Sequence, residues 1–498
     1  MNFIKVLPVF IVITLTNCFC ITPKLIPEIK SGSSQYLSNS TTEYHGVFGH
    51  DSTYYFAWRM DHQPVIMSFN NNLEFIKENT LYYHVKGLSN ASFVDIQYFK
   101  DSIYFFYSQI GLKKSLLYAR TVNKETLELN NDERIVFNVD NAKGNYPDFL
   151  LKKSFEKQQL LLIARTDIFT KNTVLLELMP LNTGLDSMWH RKDILFYNGK
   201  RAPYNTKYII DEQANVHILS TIYEVNNLYH LFSNDNVKNQ YLILSYNNSG
   251  KNRHQNILTI QNKFVRGAEI CPGENGSVIC AGTYSQQYEY GSGGLFYTQT
   301  NGADYKLEKI KLYNFDKEFL KYLIPERRAD EAPELLSFKV KQLKQRPNKN
   351  VTMVCEQQFD QEYDNFNDLI VVNFSTEGNI LNKNVINKRQ SGVDFTSFAF
   401  VAPNTSNSTV IFYNDNASNS IEPDYSQNKK SFSFPAPSYL KFAIIDEFGA
   451  MRFEKTMERN RKELIPMPVK YYDLLNGSVI IPSERYKEYN IIKVDAFD

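Results

Sequence analysis

Short apolar runs and polar turns alternate along almost the whole chain, and they come in groups of four. Between Phe264 and Leu312, apolar and β-branched runs at 264–271, 277–284, 294–300 and 305–312 are separated by Pro-Gly-Glu-Asn-Gly, by a Tyr/Gln/Gly loop and by Thr-Asn-Gly-Ala-Asp. Runs of this length between Gly, Pro and Asn clusters predict β-strands joined by turns. One four-stranded meander cannot cover both of its faces, so this group requires neighbours of its own kind.

The chain supplies seven more groups with the same grammar. Second strands are expected at Thr53–Arg59, Ser102–Gln109, Gln159–Arg165, Ala214–Tyr223, Asn350–Gln357, Ser408–Asn414 and Gly477–Pro482, each preceded by a first strand. Fourth, more polar strands are expected at Leu81–Val85, Arg134–Asn138, Asp193–Tyr197, Asn256–Ile260, Leu381–Ile386 and Met451–Lys455. The last group runs out after Asn490–Val494 and lacks its fourth strand, while Lys24–Ile29 near the N-terminus is surplus. A strand missing at one end and spare at the other is what closing a ring of blades requires. The pattern therefore predicts an all-β chain, a single β-propeller over 21–498 of eight four-stranded blades closed by an N-terminal strand, with seven blades as the alternative.

Three stretches break the pattern. Phe315, Phe319, Leu320 and Leu323 fall at helical spacing before Pro325, which predicts a short helical insertion within 314–335. Asn226–Asn239 and Asp415–Pro437 read as long polar loops inside the fourth and seventh groups. At the N-terminus, Lys5, the apolar run Val6–Thr16 and Cys18-Phe19-Cys20 have the form of an export signal over 1–20. Leu15-Thr16-Asn17-Cys18 offers a lipoprotein alternative through Cys18. No later run is long and apolar enough for a transmembrane helix. The expected location is therefore the periplasm, the outer surface or the extracellular space.

Composition narrows the picture little further. Aromatics make up 14% of the chain as 35 Phe, 33 Tyr and only two Trp, which suits strands. The net charge of +1 gives no global field for nucleic acid. Beyond the leader, Cys271, Cys280 and Cys355 have no metal-ligand spacing and are expected to be buried, unpaired thiols. Cys280 and Cys355 hold the same place in successive groups, and a Cys271–Cys280 link across the hairpin would be out of register.

The segments YNFDKEFLKYL (313–323), NDLIVVNFSTEGNI (367–380), KRQSGVDFTSFAF (388–400) and IFYNDN (411–416) give the stretch from about Ala202 to Asn416 its most distinctive character. In these it resembles an uncharacterised family of secreted, propeller-like proteins from Bacteroidota. The resemblance implies fold and export and carries no catalytic residues. Asp-Ser-x triplets at Asp51, Asp101 and Asp186 resemble an O-glycosylation signal of the same phylum, and Asn-x-Ser/Thr sequons include Asn90, Asn275, Asn350, Asn407 and Asn476.

If first strands line a channel, the loops joining second to third strands share one end with the connections between blades. The ends of the second strands place Arg59, Gln109, Arg165, Tyr223 with Glu224, Tyr284, Glu356 with Gln357, Asn414 with Asp415, and Glu484 with Arg485 there. The connections add Lys200-Arg201, Arg327-Arg328, Lys388-Arg389-Gln390 and Arg459 with Arg461. From these, Arg59, Arg165, Tyr284, Arg327, Arg328, Glu356, Arg389 and Asp415 are the candidate ligand-binding residues. Mixed charge interleaved with Tyr is the chemistry of a protein- or glycan-recognition surface. No G-x-S-x-G, H-E-x-x-H, P-loop or dinucleotide motif occurs. His45, His50, Asp51 and His62 cluster without a standard metal spacing, so no metal or cofactor is expected. The expectation is an exported, non-catalytic binding or docking module for a protein or glycan. The alternative is a carbohydrate-active hydrolase using Asp167, Glu356 and Asp415, and oligomeric state stays open.

Overall fold

The computed structural model describes residues 29–495 apart from short internal stretches, of which 224–238, 420–430, 84–90, 197–203 and 392–398 are the longest. The expected leader and most of the loop at 226–239 lie outside the described residues, as do Lys24 to Glu28 of the expected closing strand.

Eight antiparallel sheets follow one another along the chain, each four strands deep, and they form an eight-bladed β-propeller. In blade 3, for example, Asp148–Lys153, Leu160–Ile168, Thr173–Leu181 and Arg191–Phe196 pair in sequence order. The pleat explains why second strands are apolar at every position rather than at alternate ones. Leu160, Leu162 and Ala164 pack with Phe137 and Val139 of blade 2. Leu161 and Ile163, pointing the other way, pack with Tyr208, Ile210 and Val216 of blade 4. A strand covered on both faces needs no polar side, and its sequence is a continuous apolar run.

The core is thus divided into eight clusters, each shared by two consecutive blades. The eighth closes the ring: Ile480, Tyr489 and Ile491 of blade 8 meet Phe56, Trp58 and Met67 of blade 1. There Trp58 stands edge-on to Tyr489 at 4.2 Å. An N-terminal strand closes the last sheet as the strand deficit predicts, but the described pairing begins at Ile29, where the expected strand Lys24–Ile29 ends. Ile29–Ser31 pairs antiparallel with Glu488–Val494, matching Ile29 to Val494 and Ser31 to Ile492, and Gln35–Tyr36 continues the ladder.

Two outer strands are displaced from their expected positions. In blade 1 the fourth strand is Phe75–Thr80, ahead of the expected Leu81–Val85, and in blade 5 it is Lys311–Asn314. In four blades a buried residue in left-handed conformation sits within the turn before the fourth strand. Leu73 (φ 63°), Leu127 (φ 60°), Leu185 (φ 59°) and Tyr305 (φ 56°) do this in blades 1, 2, 3 and 5. All four are buried, so burial in the inter-blade packing offsets the backbone strain.

The insertion after blade 5 holds one helical turn, Lys317–Leu320, capped by the Asp316 carboxylate, which accepts from the Phe319 N–H at 2.8 Å. Phe315, Phe319 and Leu320 fill the cluster between blades 5 and 6, and Lys383 of blade 6 reaches Asp316 at 2.7 Å. Of the loop at 415–437, Phe432–Ser433 lies parallel to Gln390–Ser391.

Cys271, Cys280 and Cys355 are free and buried, as expected. Cys280 pairs in register with Ile270, one residue from Cys271, so the two thiols face different inter-blade clusters. Burial raises all three thiols, that of Cys355 to about 12. Folded protein comprising residues 21–498 is expected to resist a thiol reagent and to expose three reactive groups on denaturation. Rapid labelling of the native protein would contradict this packing.

Candidate functional site at the hairpin end of the channel

The first strands of successive blades lie against one another around the axis, so their polar residues line the channel. Lys207 of blade 4 is ion-paired with Glu269 of blade 5. Lys344 of blade 6 reaches Asp473 of blade 8 at 3.3 Å, and Asp95 of blade 2 faces the fields of Lys152 and Lys153 of blade 3. Burial pushes the Glu269 carboxyl above its ordinary range, and Lys207 pulls it back only in part. Opposite charges on different blades therefore line the axis and tie blades to one another.

Three cavities open from this wall, all toward the end formed by the hairpins between first and second strands. One of about 410 Å³ lies in the channel between Lys207, Lys341 and Tyr471. The mouth beyond it, about 700 Å³, is built by five blades, from Lys152 of blade 3 through Asp211, Pro272 and Gln345 to Asp473 of blade 8. A third of about 270 Å³ lies between the hairpins of blades 5 and 6. Arg346 also borders the mouth, yet it is only 4% exposed and donates through Nη1 to the Asn407 carbonyl of blade 7. Its Nε and Nη2 have no partner among the described residues, and burial pulls the guanidinium down to about 10. Its role is to join two blades.

The candidate residues from sequence that the structure describes belong to the opposite, loop end. Among those described, three are buried. Tyr284 donates to Asn314 Oδ1, with Lys263 over its ring at 5.1 Å. Glu356 is fully enclosed between Lys388 Nζ (2.5 Å) and Lys341 Nζ (3.4 Å). Asp415, also fully buried, lies 3.7 Å from the enclosed Lys441 and accepts from Asn419 Nδ2 at 2.8 Å. Arg165 is partly exposed but held by Asp167 (2.9 Å) and Thr206 (3.0 Å), and Arg389 is half-buried at the blade 6–7 connection. Gln109 accepts from the Tyr118 hydroxyl at 3.0 Å, and the Gln357 side chain donates to the Leu336 carbonyl at 3.1 Å. Arg327, Arg328, Lys200, Arg201, Glu224 and Arg461 lie outside the described residues, as do the side chains of Arg59, Tyr223, Glu484, Arg485 and Arg459. The same holds for the cluster of His45, His50, Asp51 and His62. The structure brings Glu356, Lys388 and Gln390 together, and does not bring Glu356 to Arg165.

A Ser-His-Asp arrangement that no sequence motif announces sits inside blade 4. His217 Nδ1 is 3.0 Å from Ser245 Oγ, and its Nε2 is 3.7 Å from Asp211 Oδ2. Ser245 and His217 have no exposed surface, and Ser245 lies within a strand. A nucleophile must reach its substrate, so this trio acts as a buried polar tie. Burial opposes ionisation of Asp211, but the neighbouring His217 ring and hydrogen bonds from Asn215 outweigh it and hold the carboxyl below its ordinary range.

No protein-family model and no curated protein matches the chain. Among solved structures it is similar to prolyl oligopeptidase B from Galerina marginata at 10% identity and a TM-score of 0.40, covering 90% of this chain and 56% of that one. The chain thus spans little more than half the length of that peptidase. It is also similar to the WD40 domain of SCAP from fission yeast (7% identity, TM-score 0.40, 94% and 99% covered). The β-propeller domain of the Trilobed protease from Pyrococcus furiosus gives 9% identity and a TM-score of 0.36, with 85% and 97% covered. Scores this low carry no argument about chemistry. The chain's class, an eight-bladed propeller, rests on its own sheets.

Proposed function

We propose that this chain is an exported, non-catalytic propeller, a member of the secreted family its middle half resembles, that binds a glycan or protein at one end of its ring. The observation that carries this reading is the mouth at the hairpin end, about 700 Å³ and walled by five blades. A concave site of that size with converging polar groups is the usual form of a ligand pocket. Export is carried by the N-terminal sequence pattern alone, and lipidation at Cys18 remains its variant form. The hydrolase reading gains nothing from Asp167, Glu356 and Asp415. The first is held by Arg165, and the other two have no exposed surface through which to meet a substrate.

Residues 21–498 are expected to retain a specific glycan on an array or a specific envelope protein in a pull-down. Retention should be lost when Lys152→Ala and Lys349→Gly are combined at the hairpin end, and kept in the Arg165→Ala/Arg389→Ala variant. Loss in the second variant alone would move the site to the loop end. Retention of nothing by the unaltered protein would end the binding-module reading.

A further inference from the structure

The three cavities at the hairpin end adjoin one another. The channel cavity and the mouth share Ile270, Leu343, Lys344 and Asp473, and the mouth shares Asn275, Gln345 and Lys349 with the outer cleft. Together they make one track that leaves the axis and runs outward between blades 5 and 6. Connected compartments suit an extended ligand better than a compact one.

The chemistry of the outer cleft is uneven in an informative way. Ile279 is the one large apolar side chain lining it, and the rest are amides, hydroxyls, carboxylates, Lys349 and Gly302. A peptide partner is usually anchored by an apolar or aromatic side chain in a matching pocket, for which the mouth has Ile210, Ile270 and Leu343 but the outer cleft has no room of that kind. A polyanion would meet the carboxylates of Glu274 and Glu308. A sugar hydroxyl donates one hydrogen bond and accepts others, and here carboxylates accept, Lys349 donates, and amides do both.

The cleft is also built rather than incidental. Gln299 Nε2 donates to Glu308 Oε2 at 2.8 Å, which orients both groups. A Cβ on Gly302 would stand 2.5 Å from the Asn275 carbonyl oxygen, so only glycine lets the two hairpins of blade 5 approach this closely. The two side-chain-bearing residues at positive φ in its wall, Asn275 (53°) and Lys349 (67°), are also shared with the mouth. Backbone strain at side-chain-bearing residues concentrates where a site needs it.

We propose that this track binds a linear, neutral oligosaccharide, with one sugar unit seated in the cleft between blades 5 and 6 against Gln299, Glu308 and Lys349. The inference rests on the binding-module reading and narrows it to one ligand class. Its test is calorimetric titration of residues 21–498 with neutral linear oligosaccharides of one to six units, drawn from several hexose and pentose polymers. Affinity is expected to rise with length over the first few units and then level off. Glu308→Ala and Lys349→Gly should each weaken the longest ligand at least about tenfold, equivalent to about 1.4 kcal/mol. Neither should lower the unfolding midpoint, because Glu308 is exposed and glycine accepts the left-handed backbone at 349 more readily than lysine. Oligosaccharide binding untouched by both variants would overturn the placement. Failure of every oligosaccharide, alongside a protein partner released by the Lys152→Ala/Lys349→Gly variant, would overturn the ligand class and leave the binding module standing. Failure of both would remove the inference and the reading beneath it.

Discussion

Replacing Glu356 with Ala is expected to lower the unfolding free energy by roughly 3–5 kcal/mol, the range for stripping one partner from a buried ion pair. Glu356 and Lys388 have no exposed surface, and the Lys388 ammonium also donates to Gln390 Oε1 at 2.8 Å and to the Phe366 carbonyl at 3.3 Å. The chain of bonds then leaves blade 6. Gln390 Nε2 donates to the Asn414 carbonyl of blade 7 at 2.8 Å, and Asn414 Nδ2 to the Pro466 carbonyl of blade 8 at 2.9 Å. Without Glu356 the ammonium at its head is desolvated and uncompensated.

Burial already depresses Lys388 below the ordinary 10.5, and Glu356 is the main group opposing that. A lysine whose folded pKa is depressed contributes stability above its unfolded pKa and loses it as pH falls through the folded value. The deficit of Glu356→Ala should therefore be large at pH 7 and shrink as pH rises toward about 10.5. The double variant Glu356→Met/Lys388→Met should recover most of the loss, because two apolar groups leave no charge unpaired. Urea unfolding of the three proteins across this pH range is the measurement. A loss below about 1 kcal/mol for Glu356→Ala would mean that the pair is hydrated and the carboxylate open to a ligand.

Deleting everything before Leu37 should be the other severe change. It removes Ile29–Ser31 and Gln35–Tyr36 from the ladder on Glu488–Val494, together with the Asn490 bond to Ser31 Oγ at 3.2 Å. At about 1 kcal/mol net per hydrogen bond, the lost ladder alone costs roughly 3 kcal/mol. The exposed edge carries Ile491, Ile492 and Val494, which are fully buried in the intact ring. An unpaired apolar edge recruits other strands, so the truncated chain is expected to unfold earlier and to associate with rising concentration. A peptide spanning residues 24–37 should reverse both effects when added. An unchanged midpoint and a monomeric elution profile would show that the ring closes through the Trp58–Tyr489 packing without its outer strand.

Much of this fold was legible because inner strands are sandwiched. Runs such as Leu160 to Ala164 or Val278 to Ala281 are apolar without interruption, and only strands covered on both sides read that way. Outer strands have one wet face and weaker patterns, and the Leu73 and Tyr305 turn residues sit in a conformation that propensity assigns to Gly or Asn.

The site was harder to read. Polar residues at strand ends looked like a surface, but Glu356 and Asp415 turn inward onto Lys388 and Lys441, lysines distant in sequence. The hairpin-end cavities are assembled from turns of several blades, each of which looks ordinary alone. Only the ring brings them together.

That ring imposes an order of events on synthesis. Seven of the eight shared clusters join blades adjacent in sequence, so each can form as soon as the next blade has left the ribosome. The eighth joins the two ends of the chain, and Ser31 must wait for Asn490, 459 residues later. The most N-terminal of the described strands is the last one used. Until then an arc of blades waits with both of its end faces open, and the ring cannot close before Glu488–Val494 has been made.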